Sequence, residues 1–439
     1  MRAVVRILVA CTPVHGHLAP LLRATRELVR RSNEVVVLTG SRFEAAVAAT
    51  GARHVALPAG ADYDDRDLNA SFPGRVSKRG PAKLNFDVVH LFADPVPHQY
   101  RALEELRREF RPDAVLADTA FGGAAVWALS GAADRPPVVV ANVTFLTLSG
   151  RGVPPAGVGL TPMPGPVGRA RDALVLLLAE RVILRSGLAQ FNRVFETTAG
   201  RRLPGSFFDG PLLADRLLVL TVPSFEYPRV DLPDKVSFVG PMLPLPSEDF
   251  DPPGWWTDLD AGRPVVHVTQ GTIDTSDLGR LIAPTLAALA GEDVLVVVTT
   301  GGRPRSAVPG QLPGNARVEP FIPYDRLLPK VDVMVTNGGY GGVQYALSHG
   351  LPLVVAGDGE DKPDIAARVA WSGAGINLRT GRPSPAKVRA AVLRALNEPS
   401  FRERARALQG EMARYDAVNS VADTLEKVAA GRSPSGSDG

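Results

Sequence analysis

The chain has 439 residues, 45% hydrophobic and 22% charged, which excludes a disordered protein and exceeds what one ordinary hydrophobic core organises. Its formal net charge is only +3 and no Lys/Arg block interrupts the sequence, so a nucleic-acid partner is not expected. Cys11 is the only cysteine, which excludes a disulfide framework and a cysteine-based metal site.

Met1–Ala10 lacks the features of a secretory signal, and the longest apolar run, Ala173–Ala179 with Val182–Leu184, is broken by Glu180 and Arg181. A cytoplasmic protein without stable membrane insertion is expected. In chain order, Val4–Ala10 predicts a strand buried on both faces, followed by a helix over Leu18–Arg30. Strands at Glu34–Leu38 and Val55–Leu57 flank a helix at Phe43–Ala49. Pro58–Lys83 is polar and reads as a long loop, of the kind that often carries function. Val88–Arg108 is helical, Ala114–Ala117 a strand, Gly123–Leu129 a helix and Val138–Val143 a strand. A Pro/Gly-rich loop at Pro154–Pro166 precedes a helical stretch, and Leu217–Val222 closes the first half.

Pro241–Pro253 carries five prolines and predicts a semi-rigid linker. Beyond it come strands at Val265–Thr269, Val294–Thr299, Val318–Phe321, Val331–Thr336 and Leu353–Ala356. Helices fall at Leu278–Ala290, Gly341–Ser348, Ile365–Ala370, Pro385–Leu396 and Ala417–Ala429. Repeated strand–helix units predict an α/β protein of two Rossmann-like, doubly wound parallel-sheet domains, with ligands at the carboxyl ends of the strands. The expected domains are residues 1–240 and 259–415, joined by a linker at 241–258. A last helix follows at 416–430, and the Gly/Ser-rich residues 431–439 read as a disordered tail.

Four constellations suit chemistry. The first is Cys11–Pro20, between the first strand and its helix, with His15 and His17. A neutral imidazole there suits a general base, and the helix start favours the neutral form; a His that only hydrogen-bonds the loop fits equally. Asp118 follows the strand Ala114–Ala117 in a different loop of the same sheet, where it would orient His17 or merely cap the next helix. In Val331–Leu347 four glycines fall within Gly338–Gly342 at a helix entrance. They suit an anion, or a turn that must pack tightly, and they match neither a Walker A nor a G-x-G-x-x-G pattern. The fourth, Gly357–Asp364, has four carboxylates and Lys362, which suit sugar hydroxyls or a solvated helix cap; no spacing demands a metal.

Together these residues resemble the inverting glycosyltransferases of the GT-B fold, specifically bacterial enzymes that glycosylate macrolides and other natural products. Gly16-His17-Leu18-Ala19-Pro20 looks like the family's N-terminal signature, and Val268–Thr272 like its first donor-binding turn. Phe321–Tyr324 resembles the base-binding stretch, Asn337–Gly342 the diphosphate motif, and Asp361-Lys362 the sugar-binding pair. The resemblance implies His17 as general base, supported by Asp118. It implies Phe321 and Ile322 at the base, and Thr272, Asn337, Gly339, Gly341 and Gly342 around the phosphates, with Asp361 on sugar hydroxyls. It further implies a dTDP- or UDP-sugar donor, a small hydrophobic hydroxylated acceptor, no metal or other cofactor, a monomer or homodimer, and a last helix that crosses back onto the first domain.

Several positions depart from that pattern. Asn337 stands where His is usual, so charge neutralisation is expected to lean on Lys362, which replaces Gln. Gly342 replaces a Ser or Thr, Tyr324 a Gln, and Tyr345 a ribose-binding Glu, which favours a deoxyribose-bearing donor. Competing readings are a sugar-nucleotide epimerase of the same fold, a non-catalytic auxiliary or activator protein, and a lipid-modifying transferase that meets a membrane through Asp172–Leu184. Ordinary core packing is the alternative for that helix.

Overall fold

The computed structural model describes residues 4–131, 134–247, 249–272 and 274–431. The first domain runs β1 (Arg6–Ala10), α1 (His15–Arg30), β2 (Glu34–Thr39), α2 (Glu44–Ala48) and β3 (Arg53–Ala56). Two short helices, α3 (Leu68–Ser71) and α4 (Gly80–Asp87), precede α5 (Val96–Glu109), β4 (Ala114–Asp118), α6 (Gly122–Ser130) and β5 (Val138–Asn142). Next come α7 (Gly165–Leu178), a π-helical turn (Ala179–Ile183), α8 (Arg185–Ala199), β6 (Arg216–Val219) and β7 (Val236–Phe238). Among the described residues all strands of this sheet are parallel, in the order β3-β2-β1-β4-β5-β6-β7. Helices cover both faces, which is why the central strands are Val/Ile/Leu-rich and wholly buried.

The second domain repeats the plan with β8 (Val265–Thr269), α9 (Ile282–Leu289), β9 (Leu295–Thr299), β10 (Ala316–Glu319), α10 (Tyr324–Leu327) and β11 (Val333–Thr336). It continues with α11 (Tyr340–Ser348), β12 (Leu353–Val355), α12 (Lys362–Trp371), β13 (Gly375–Asn377), α13 (Pro385–Asn397) and α14 (Pro399–Met412). Its parallel sheet has the order β10-β9-β8-β11-β12-β13. The last helix, α15 (Ala417–Ala430), packs on the first domain, where Val421, Ala422 and Leu425 are buried with Leu18, Leu21 and Leu28 of α1. Arg31 ties the two helices, bonding Glu27, Asp423 and Glu426.

Several elements differ from the sequence expectation. Pro58–Lys83 is not a structureless loop, because Asp64 and Asp67 accept backbone bonds from Arg66, Asn69 and Ala70 and wind it into short turns. The first half is closed by β7, a three-residue strand too short to show a pattern, and not by the strand at Leu217–Val222. That strand stops at Val219, and Val222 joins Phe225 in a core shared with the second domain. β10 ends before Pro320, which has no N–H for the ladder, so Phe321 lies outside it. β13 and α14 were not foreseen. Residues 432–439 of the expected tail lie outside the described residues.

The linker is not free. Trp255 donates to Glu319, Ser247 bonds Asp325, and Phe250 stacks edge-on against Trp256. The outward and return crossings between domains also touch: Gly240 has φ +83°, and a Cβ there would lie 2.3 Å from that of Tyr415.

Candidate active site

Because β1 pairs directly with β4, the loops that follow them are neighbours. His17 stands in the first turn of α1, and its Nδ1 lies 3.1 Å from Oδ1 of Asp118 at the end of β4. Asp118 is fully buried and also accepts the amides of Thr12 at 2.5 Å and Ala120 at 2.6 Å. It does not cap α6, whose N-cap is Phe121. Three donors leave its orientation no freedom. Burial would raise its pKa, but the bond and charge of His17 and the Thr12 amide outweigh burial and lower it.

The His17 side chain is 27% exposed. Burial disfavours its cation, yet the hydrogen bond and charge of Asp118, with Asp361 and Asp65 further off, raise its pKa. The expected lowering by the helix start is therefore overridden by a nearer carboxylate. His15 takes no part in the pair: its amide donates to Asp65 at 2.7 Å. Tyr63, unnoticed in the sequence, sits close enough for Asp118 and Asp65 to push its hydroxyl pKa up, after burial itself.

On the other domain the Gly-rich turn has the shape its sequence implies. Gly338 has φ +90°, and a Cβ there would come 2.8 Å from Val355. A Cβ on Gly341 would meet nothing within 4 Å, so that glycine is not there for packing; it leaves the α11 entrance open. The asparagine in front of it is anchored. Asn337 is buried, donates to the Gln270 carbonyl at 2.6 Å and accepts from Gly339. It ties the Gln270–Thr272 turn to the Gly-rich turn, with Thr272 exposed beside them. Gly342 lies in the first turn of α11.

Phe321 is 67% exposed, whereas Ile322 is 1% exposed and belongs to the core, so of this pair only Phe321 offers a side chain to a ligand. Tyr345 is buried, 5.6 Å from the ring of Tyr324. Lys362 is also buried and its Nζ donates to Glu360. The cation expected to face a diphosphate is thus already paired, directly behind Gly338 and Gly357. Among the described residues no group of three His, Cys, Asp or Glu could hold a metal ion.

The two halves also meet through Asp361 and Asp364 of the acidic constellation and through partners that sequence reasoning did not single out. Thr144, just beyond β5, donates to Asp361 at 2.8 Å. Burial and the charge of Glu360 raise the Asp361 pKa against that bond. Asp364 accepts the amides of Gly157 at 3.1 Å and Gly159 at 3.3 Å, and burial above all lifts its pKa to about 6. Arg368 is 2% exposed, bonds Glu226 at 2.7 Å and stacks over the rings of Phe145 and Tyr227. Glu226 accepts the Leu146 amide as well. Asp361, Asp364 and Arg368 recur at helical spacing, so one face of α12 grips the loop 144–160 of the first domain. Their bonds to Glu226, Thr144, Gly157 and Gly159 span 142 to 217 residues, so the pairings left no local signal.

Residues 283–428 match the family described as erythromycin biosynthesis protein CIII-like, C-terminal domain. The chain is 42% identical over 425 residues to the 4'-demethylrebeccamycin synthase of Lentzea aerocolonigenes, covering 96% of this chain and 99% of that protein. It is 33% identical over 439 residues to UDP-glycosyltransferase 2 of Phaeomoniella chlamydospora, covering 97% and 96% respectively. The solved structure of the glycotransferase of kitacinnamycin matches with a TM-score of 0.73 at 25% identity, over 98% of this chain and 100% of that one. The chain belongs to the macrolide-type family of natural-product glycosyltransferases with the GT-B fold, and it is a glycosyltransferase.

Proposed function

We propose that the enzyme moves a sugar from a nucleoside-diphosphate sugar to a hydroxyl of a small hydrophobic acceptor, with inversion at the anomeric carbon. The observation that carries this reading is the His17–Asp118 pair at the cleft, within electrostatic reach of Asp361 on the opposite domain. With Nδ1 turned to Asp118, Nε2 is the proton-accepting atom. It takes the acceptor's proton as the acceptor oxygen bonds the anomeric carbon and the bond to the diphosphate breaks. The amides at the α11 entrance take up the charge of the departing diphosphate, and Asp361 holds sugar hydroxyls. The reading calls for no metal ion.

His17→Ala should lower turnover by ~10²–10⁴-fold, read as glycoside product by mass spectrometry; retained activity would remove the assignment. The base must be neutral and its pKa is raised, so kcat/KM should fall on the acid side of a pKa above 6.5. Asp118→Asn removes the groups that raise it and should move that limb to lower pH. An α-to-α product in the anomeric proton spectrum would overturn inversion. With a buried Tyr345 standing where a glutamate would meet the ribose hydroxyls, dTDP-sugars should bind more tightly than UDP-sugars. Five relatives carry UDP in their names, so the two donors make a direct comparison, and a preference for UDP would sink this part.

A further inference from the structure

The helical stretch from α7 through the following π-turn is apolar, and yet it is not core. Val167 is 71% exposed, Leu174 56%, Leu177 50%, Leu178 45% and Val182 67%. Spacings of three, four and seven place them along one face, some four turns long. Gly168 and Asp172 are the buried residues of α7. The charges that this stretch exposes have a single sign. Arg169, Arg181 and Arg185 are exposed and have no ion-pair partner among the described residues. Its acids are turned inward or used: Asp172 is buried against Arg171, and Glu180 accepts from Ser206.

We propose that this ridge docks the enzyme on an anionic lipid surface. A long aliphatic face edged only by arginines is the pattern of a helix lying in the headgroup region, its guanidinium groups reaching lipid phosphates while the leucines enter the acyl boundary. Among the described residues no helix is long and apolar enough to cross a membrane, so the proposed contact is peripheral. A second copy fits less well, because a two-fold, ridge-on-ridge contact sets arginines against arginines. A protein partner fits less well too, because the ridge has no aromatic anchor of the kind that dominates such interfaces. The ridge starts where the loop held by Asp364 ends, so a docked bilayer lies beside the loop that α12 grips. The inference rests on this surface and not on the proposed reaction, and each can fail alone.

The test is co-sedimentation of the full chain with vesicles of phosphatidylglycerol and phosphatidylcholine in equal parts, and with phosphatidylcholine alone. Binding is expected to the anionic vesicles, weaker on the neutral ones and weakened by salt. A variant combining L174S, L177S and L178S should lower partitioning at least about tenfold. A variant combining R181Q and R185Q should lower it by roughly tenfold on anionic vesicles alone. All five side chains are exposed, so both variants should keep the wild-type circular dichroism and Tm. The proposal is overturned if the wild type stays in the supernatant, or if either variant binds like it. It is also overturned if light scattering shows leucine-dependent self-association in place of vesicle binding.

Discussion

α7 and α12 occupy opposite sides of the cleft and invert what composition suggests. α7 reads as a core helix and buries almost nothing, while α12 carries Lys362, Asp364 and Arg368 and buries all three. The difference lies in partners. Each charge on α12 has an acceptor or donor waiting on it, Glu226, Glu360 or the amides of the 144–160 loop, whereas among the described residues no element covers Leu174, Leu177 and Leu178 of α7. Burial here follows what a side chain meets, and hydrophobicity alone does not decide it.

The comparison breaks most visibly at Arg368. Arg368→Leu leaves the buried Glu226 unpaired and should cost about 3–5 kcal/mol in urea unfolding, much of it recovered in the double variant with Glu226→Leu. A neutral single variant would mean that the α12 clasp is not what holds the helix down. Asp364→Asn is the next test. A carboxyl raised to about 6 from 3.8 contributes stability that is full below pH 3.8 and lost as pH rises through about 6. The asparagine variant should therefore gain on the wild type as pH rises across that window, by on the order of 2–3 kcal/mol at most. A pH-independent difference would show that the carboxyl is not buried as charge. At the small end, Leu177→Ser on α7 should change stability by no more than about 0.5 kcal/mol, and a larger loss would show that the ridge packs.

What was legible in the sequence was whatever is coded within a few residues. Val runs gave the central strands, and the glycines of 338–342 gave the α11 entrance. His17 and Asp118 were legible as neighbours because a parallel sheet puts the ends of adjacent strands side by side. β7 and β13, three residues each, are too short for periodicity to show. The Asn337–Gln270 bond, the Lys362–Glu360 pair and the raised pKa of His17 were not legible, because each depends on a partner whose direction only the folded chain fixes. The Thr144–Asp361 bond and the α12 clasp belong to the same class: Asp361 itself was legible, but contacts across two domains leave no mark on either local sequence.

The contact of Gly240 with Tyr415 bears on how the cleft can work. The chain crosses between domains twice, and both crossings press against each other at this point. Two tethers attached far apart would brace the halves like a rigid frame. Two tethers pinched at one spot make a door with a single pin. A rotation about Gly240 and Tyr415 would leave both crossings in place, whereas a slide would pull both strands of chain at once. Any rotation about that pin would have to part the buried Arg368–Glu226 pair and the core that Val222 and Phe225 share with the second domain.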